Sequence, residues 1–302
     1  MTPTLMAILF SVLMPSKMWY APGQALDITV KGEGPMTLML TDFAGKRIDA
    51  DNSADVEAGK TVDLKTIFKT TATGGTYILY AVPKGKNIDQ FVGTPLVVGV
   101  REGRRAGVVG PLVTRIEPLR YAVMTTDQGK ATMIFYYDVA PNTANNFLTL
   151  AEQGYYDGLT FHRIVPGFVI QGGDPRGDGS GGPGYQIGAE FSDRKHEEGV
   201  LSMARLGDPA EGPGVPPRPE FANSAGSQFF VCLDYTATKS LDRSYTAFGK
   251  VIEGMDTIKA IAGVKLADQR AGKPEQPPVI KKIEVLAVTA AKNPYAPKPE
   301  SR

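Results

Sequence analysis

From Leu26 onward, apolar and polar positions alternate in short runs separated by turns. Leu26, Ile28 and Val30 fall on one face of an extended segment, and the runs 36–40, 62–64, 76–82 and 96–100 follow. Ala58-Gly59-Lys60, Gly74-Gly75 and Pro83-Lys84-Gly85 punctuate them. A period of two bounded by turn residues is the pattern of half-buried strands. No apolar spacing of three and four is sustained here, so the pattern predicts a β-sandwich over 26–102. The polar stretch 103–118, with Arg104, Arg105, Gly107, Gly110-Pro111 and Pro118, reads as a linker.

A second unit is expected over 119–290. Runs 121–126 and 131–137 flank Asp127-Gln128-Gly129, the pattern of a hairpin. Then the period changes. Ala144, Phe147, Leu148 and Ala151 recur at three and four between Pro141 and Gly154, predicting a helix with proline near its start and glycine at its end. Met255, Ile258 and Ile261 predict a second helix over 254–262, and 279–288 reads as a closing strand. The tail 291–302, rich in proline and charge, is expected to be disordered.

The stretch 161–174 is apolar enough for a strand, yet carries Arg163 and Gln171 on either side of Pro166-Gly167. Even spacing would put both side chains on one face, with a bend or bulge between them. The bland alternative is a core strand with its arginine stem lying along the surface.

Composition narrows the function classes. Thirty-three Lys plus Arg against 32 Asp plus Glu give no electrostatic case for nucleic acid or an anionic membrane. One cysteine, Cys232, forbids an internal disulfide, and two histidines without a nearby second ligand give no zinc site. Residues 5–14 are mostly apolar but too few to span a bilayer. Within the N-terminal segment 1–25 that run reads either as an export signal, with Gly23-Gln24-Ala25 as a small-x-small cleavage site, or as a first strand. The former favours an extracytoplasmic location, although no Lys or Arg precedes the run.

Seven short motifs now carry a resemblance. Tyr155-Tyr156-Asp157-Gly158, Phe161-His162-Arg163, Pro166-Gly167-Phe168, Gln171-Gly172-Gly173-Asp174, Leu201-Ser202-Met203-Ala204, Gly226-Ser227-Gln228-Phe229-Phe230 and Phe248-Gly249-Lys250-Val251 stand in one order. That order resembles the cyclophilin-type peptidyl-prolyl cis-trans isomerases. The resemblance implies a closed eight-stranded antiparallel barrel capped by two helices, hence a mainly β chain. It also implies action on proline-containing peptides and unfolded proteins, with no cofactor.

The chemistry agrees with that. A peptide bond rotates over a barrier of ~18–20 kcal/mol, and Xaa-Pro exchange takes tens to hundreds of seconds or so. A catalyst needs a pocket for the ring and donors for the twisted amide, without a nucleophile. By resemblance Arg163 is the donor and Gln171 orients it. Phe168, Val169, Phe230 and Leu241 hold the ring, while Ala204, Arg205, Gln228 and Tyr245 complete the groove. Ser240 stands where the family often has tryptophan and Tyr245 where it often has histidine, so cyclosporin binding is expected to be weak. Residues 210–222, with Pro213, Pro216, Pro217 and Pro219, form an insertion expected to be a loop that partly walls the groove. A peptide-binding or chaperone module on the same fold, without turnover, is the rival reading. Glycine-rich 172–184 lacks a phosphate-loop signature, and Asp174 with Asp178 lacks full calcium-loop spacing.

Overall fold

The computed structural model describes residues 11–48, 53–105, 108–212 and 215–296. The chain divides into two compact units. One comprises the residues through Arg120 together with those from Ala287; the other is Tyr121–Leu286.

The second unit is an eight-stranded antiparallel sheet. Its strands are β1 (Arg120–Thr126), β2 (Gly129–Phe135), β3 (Thr160–Val165), β4 (Val169–Asp174), β5 (Val200–Met203), β6 (Phe229–Cys232), β7 (Ala247–Glu253) and β8 (Ile280–Ala287). The order across the sheet is β3-β4-β6-β5-β7-β2-β1-β8. A single bridge, Thr160 to Val279, links the two ends of that path. Helices α1 (Pro141–Glu152) and α2 (Met255–Ala262) pack against it, each within two residues of the predicted bounds.

Period two decides which side of the sheet each aromatic residue joins. Phe229 and Phe161 turn inward with Phe135, Phe147, Tyr156 and Phe248, all fully buried. Phe147 makes ring contacts with Phe135, Tyr156, Phe229 and Phe248 at 4.9–5.7 Å. Phe230 is one residue on and belongs to a separate apolar cluster on the other face.

The stretch 161–174 is a hairpin rather than one bent strand. Gly167 sits at φ +73°, a region open to glycine at little cost, and Phe168 N donates to Val165 O at 2.9 Å. Arg163 and Gln171 therefore face each other across β3 and β4. The irregularities lie elsewhere: the register slips between Thr160 and Phe161 and again between Phe161 and Arg163, at His162.

The first unit is also β-rich. Leu13–Pro15, Asp27–Val30 and Thr61–Asp63 make a three-stranded sheet. A larger sheet runs Trp19–Tyr20, Val108–Pro118, Leu96–Arg105, Gly75–Pro83, Met36–Thr41, Arg47–Ile48, with Ala54–Val56 also on Met36–Thr41. Residues from both sheets, among them Ile28, Val30, Leu38, Leu79, Val98 and Ile116, share one core. The expected linker 103–118 is instead the closing half of the hairpin Leu96–Arg105 and Val108–Pro118. Buried Thr114 and Ile116 keep a two-residue period, which the arginines and glycines masked at the sequence level. Leu13 is buried and strand-paired, so the end of the apolar N-terminal run is a strand; residues 1–10 lie outside the described residues. The tail is ordered as far as 296, against expectation, because Tyr295 Oη donates to Arg120 O at 2.7 Å and its ring meets Phe43 edge-on. Residues 297–302 lie outside the described residues. Among the described residues, no helix is long and apolar enough to cross a membrane.

Candidate active site

Strand register assembles the site. Arg163 on β3 pairs with Gln171 on β4, Gln171 with Phe230 on β6, and Phe230 with Ser202 on β5. Directly paired residues project to the same side, so these four side chains form one row. Val169 pairs with Cys232 two positions along, on the same face.

A hydrogen-bond relay fixes the polar half of the row. Gln228 Nε2 donates to the carbonyls of Gly179 and Gly181 at 2.9 and 2.8 Å. Two carbonyls can be satisfied only by the amide nitrogen, so Gln228 Oε1 must face Gln171, whose Nε2 donates to it at 3.0 Å. Gln171 Oε1 is then turned to Arg163, whose Nη1 donates to it at 3.3 Å. One bond engages the guanidinium, and its remaining donors have no protein partner among the described residues. Gly173 lets the strands come this close: it lies at φ +82°, and a Cβ there would stand 2.5 Å from Ser227 O.

The apolar half is one cluster. Val169, Phe230 and Leu241 are buried beside half-buried Phe168, Ala204 and Tyr245. Tyr245 meets Phe230 edge-on, 5.8 Å between centroids. Ala204 N donates to Gln228 O at 3.0 Å, tying the groove wall to β6. Every residue expected at the site from sequence is thus gathered on one face. The Arg205 side chain lies inward, stacked 4.2 Å from the Tyr245 ring centroid. Ser240 is exposed.

Three functional residues escaped the sequence reading. His196 is fully buried and stacks behind Phe230 at 6.3 Å. Its Nδ1 lies 3.0 Å from Asp242 Oδ1, and its Nε2 lies 3.0 Å from Ser202 Oγ. Burial outweighs the Asp242 carboxylate and holds the imidazole below its ordinary value. The ring is therefore neutral at neutral pH: Nδ1–H donates to the carboxylate and Nε2 accepts from the Ser202 hydroxyl. Burial acts to raise Asp242, but hydrogen bonds from the His196 amide and ring and from Tyr235 prevail and hold it low. The Ser-His-Asp order looks nucleophilic, yet Ser202 is wholly buried, so no substrate can reach its oxygen. The three act as a backing for Phe230. No spacing in the sequence marks them. Cys232, in the same wall, has its thiol pushed up to about 12 by burial and is inert.

Beside the row opens a cavity of about 900 Å³, lined by Gln171, Gln228, Ala204 and Arg205, the glycine-rich segment 179–186, and Arg176. The Asp174 carboxylate is consumed by the amides of this segment, accepting from Arg176 N and Asp178 N at 2.8 and 3.1 Å and from Gly179 N. That is a loop cap, not a calcium shell. Of the described residues that line this cavity, Leu206 and Ser224 flank the insertion. The insertion also contains a one-turn helix, Pro219–Ala222, where a pure loop was expected. Proline at its first position costs nothing, because that amide has no helical partner. Pro213 lies outside the described residues.

Comparison with known proteins agrees with this geometry. A family profile described as "Cyclophilin type peptidyl-prolyl cis-trans isomerase/CLD" matches residues 121–285. A peptidyl-prolyl cis-trans isomerase of Synechococcus elongatus is 40% identical over 148 residues, covering 49% of this chain and 90% of its own. One from Helicobacter pylori is 39% identical over 145 residues, 47% of this chain and 79% of that one. Peptidyl-prolyl cis-trans isomerase B of Bacillus subtilis is 42% identical over 135 residues, 44% and 83% respectively. With its catalytic unit spanned by the profile and its groove built as described, the chain belongs to the cyclophilin-type peptidyl-prolyl cis-trans isomerases.

Proposed function

We propose that the outer groove of β3, β4 and β6 exchanges cis and trans Xaa-Pro bonds, with Arg163 as catalytic donor and Gln171 orienting it. The observation that carries this is the relay from the Gly179 and Gly181 carbonyls through Gln228 and Gln171. It aims one arginine, whose other donors have no partner among the described residues, beside the apolar cluster of Val169, Phe230 and Leu241. Phe168, Val169, Phe230, Leu241 and Tyr245 hold the proline ring. As the amide twists it loses resonance, and its nitrogen lone pair localises. Arg163 donates toward that nitrogen or the prolyl carbonyl, an interaction stronger in the twisted state than in either planar one. The guanidinium stays charged and planar throughout, so no proton is transferred. Ala204, Arg205 and Gln228 border the path of the peptide backbone.

The substrates are proline-containing peptides and unfolded proteins. The Thr160–Val279 bridge supports reading the sheet as a closed barrel, whose outer face is then rigid. Two sheets around one core support an immunoglobulin-like sandwich for the first unit, acting as a client-holding module. Exposed Ser240 in place of a ring supports weak cyclosporin binding. The test is Arg163→Ala. Losing one transition-state donor lowers the isomerisation rate roughly 10²–10³-fold, with the fold unchanged by circular dichroism. A variant that retains most of the wild-type rate removes Arg163 from the mechanism.

A further inference from the structure

The insertion reaches the ring pocket through a chain of contacts. Its base is closed by Asp208, whose buried carboxylate accepts from the amides of Ala210 and Arg218 at 2.9 and 2.8 Å and from the Arg218 guanidinium at 2.8–3.2 Å. This clamp delivers Glu211 to Arg205. Arg205 Nη2 donates to both Glu211 oxygens at 2.6 and 2.7 Å. Its Nε donates to Ser244 O at 3.0 Å and its Nη1 to Leu206 O at 2.9 Å. The Arg205 side chain is 2% exposed, its plane against Tyr245, and Tyr245 in turn stands edge-on to Phe230. The contacts converge on the Arg205 guanidinium, which is the shielded member of the series.

We propose that Glu211, carried by the inserted loop, is a positioning residue for the proline-ring pocket: it holds Arg205 flat on Tyr245 and thereby fixes the wall opposite Phe230. A guanidinium so buried needs its counter-charge. Without Glu211 it turns toward water, the cation–π contact opens, and Tyr245 loses the surface it rests on. The insertion thus acts on the proline ring, because its contacts run from Glu211 through Arg205 and Tyr245 to Phe230. This inference rests on the ring pocket proposed above.

The ring is held alike in the planar and twisted states, so a slack wall weakens binding of both. In the full chain, Glu211→Ala raises KM for a short Ala-Pro peptide roughly three- to tenfold and leaves kcat within about twofold. Preferences among residues preceding the proline superimpose on wild type. In a Tyr245→Ala background the same change adds nothing, because the path runs through that ring. Arg205→Lys, which cannot stack as a planar fork, reproduces the KM shift. If Glu211→Ala does not fold, Glu211→Gln carries the same cycle with size kept and charge removed. Phe230→Ala is the control for the pocket itself. An unchanged KM there overturns the pocket and with it the brace. A raised KM for Phe230→Ala but not for Glu211→Ala overturns the brace alone, as do effects of Glu211 and Tyr245 that simply multiply.

Discussion

His196 and His162 are the two histidines of the chain, and both are buried with imidazoles held below their ordinary value, chiefly by desolvation. Both ring nitrogens of His196 are hydrogen-bonded, whereas His162 has only the Thr160 backbone within loose reach. For a base whose folded value is lowered, the unfolded chain takes up the proton first. The stability contributed by the neutral rings is therefore complete above the ordinary imidazole range, near ~6.5, and is lost as pH falls from there through the lowered values. The carboxylates held low, Asp208 and Asp242 among them, titrate only below the ordinary carboxylate range. Between about pH 7.5 and about 5.5 the two histidines contribute a slope of that sign. Urea midpoints should fall across that window, and His162→Phe, which removes one of the two titrating rings, should flatten part of the fall. A midpoint flat across the window would mean that the buried rings accept protons freely.

At the scale of elements, the base of the insertion is closed by the Asp208 clamp on Ala210 and Arg218. The Arg218 guanidinium, above all, holds the Asp208 carboxyl well below the usual carboxylate range. The clamp is therefore complete above that range and opens only as pH falls through the lowered folded value. Asp208→Asn, losing the charge and one acceptor, should speed hydrogen exchange at the Ala210 and Arg218 amides by roughly tenfold or more at neutral pH. Exchange unchanged at both amides would show the loop is held by something else. The same elements mark what a sequence can convey. Strands at period two and both helices were legible, since burial on one face writes a local period. Short motifs nominated most of the residues proposed for the site, yet Arg163 and Gln171 as cross-strand partners were not legible, because one glycine at positive φ converts a bend into a hairpin. The strand at 108–118 was obscured because its glycine, prolines and half-buried Arg115 hide the two-residue period that Thr114 and Ile116 keep. Glu211, His196 and Ser202 act through contacts 6–46 residues apart, which no local pattern encodes.

For the whole molecule, the question is what the first unit adds. Every residue assigned to the site lies between Arg163 and Tyr245, inside the Tyr121–Leu286 unit, and the first unit has a core of its own, from Leu13 to Ile116. A unit with its own core is expected to fold alone. Residues 119–290 retain all eight strands and both helices, so this fragment should turn over a short Ala-Pro peptide within about twofold of the full chain. An unfolded protein is a different substrate. If the first unit grips such a client, each released proline stays at high effective concentration near the groove, and cutting the unit away lowers the refolding rate without touching peptide turnover. Measuring both rates on both chains separates the cases. Loss of both in a folded fragment means the first unit helps to build the site. Retention of both means it has no part in holding clients. Loss of the refolding rate alone is the expected result, because chemistry confined to one unit and grip confined to the other fail independently.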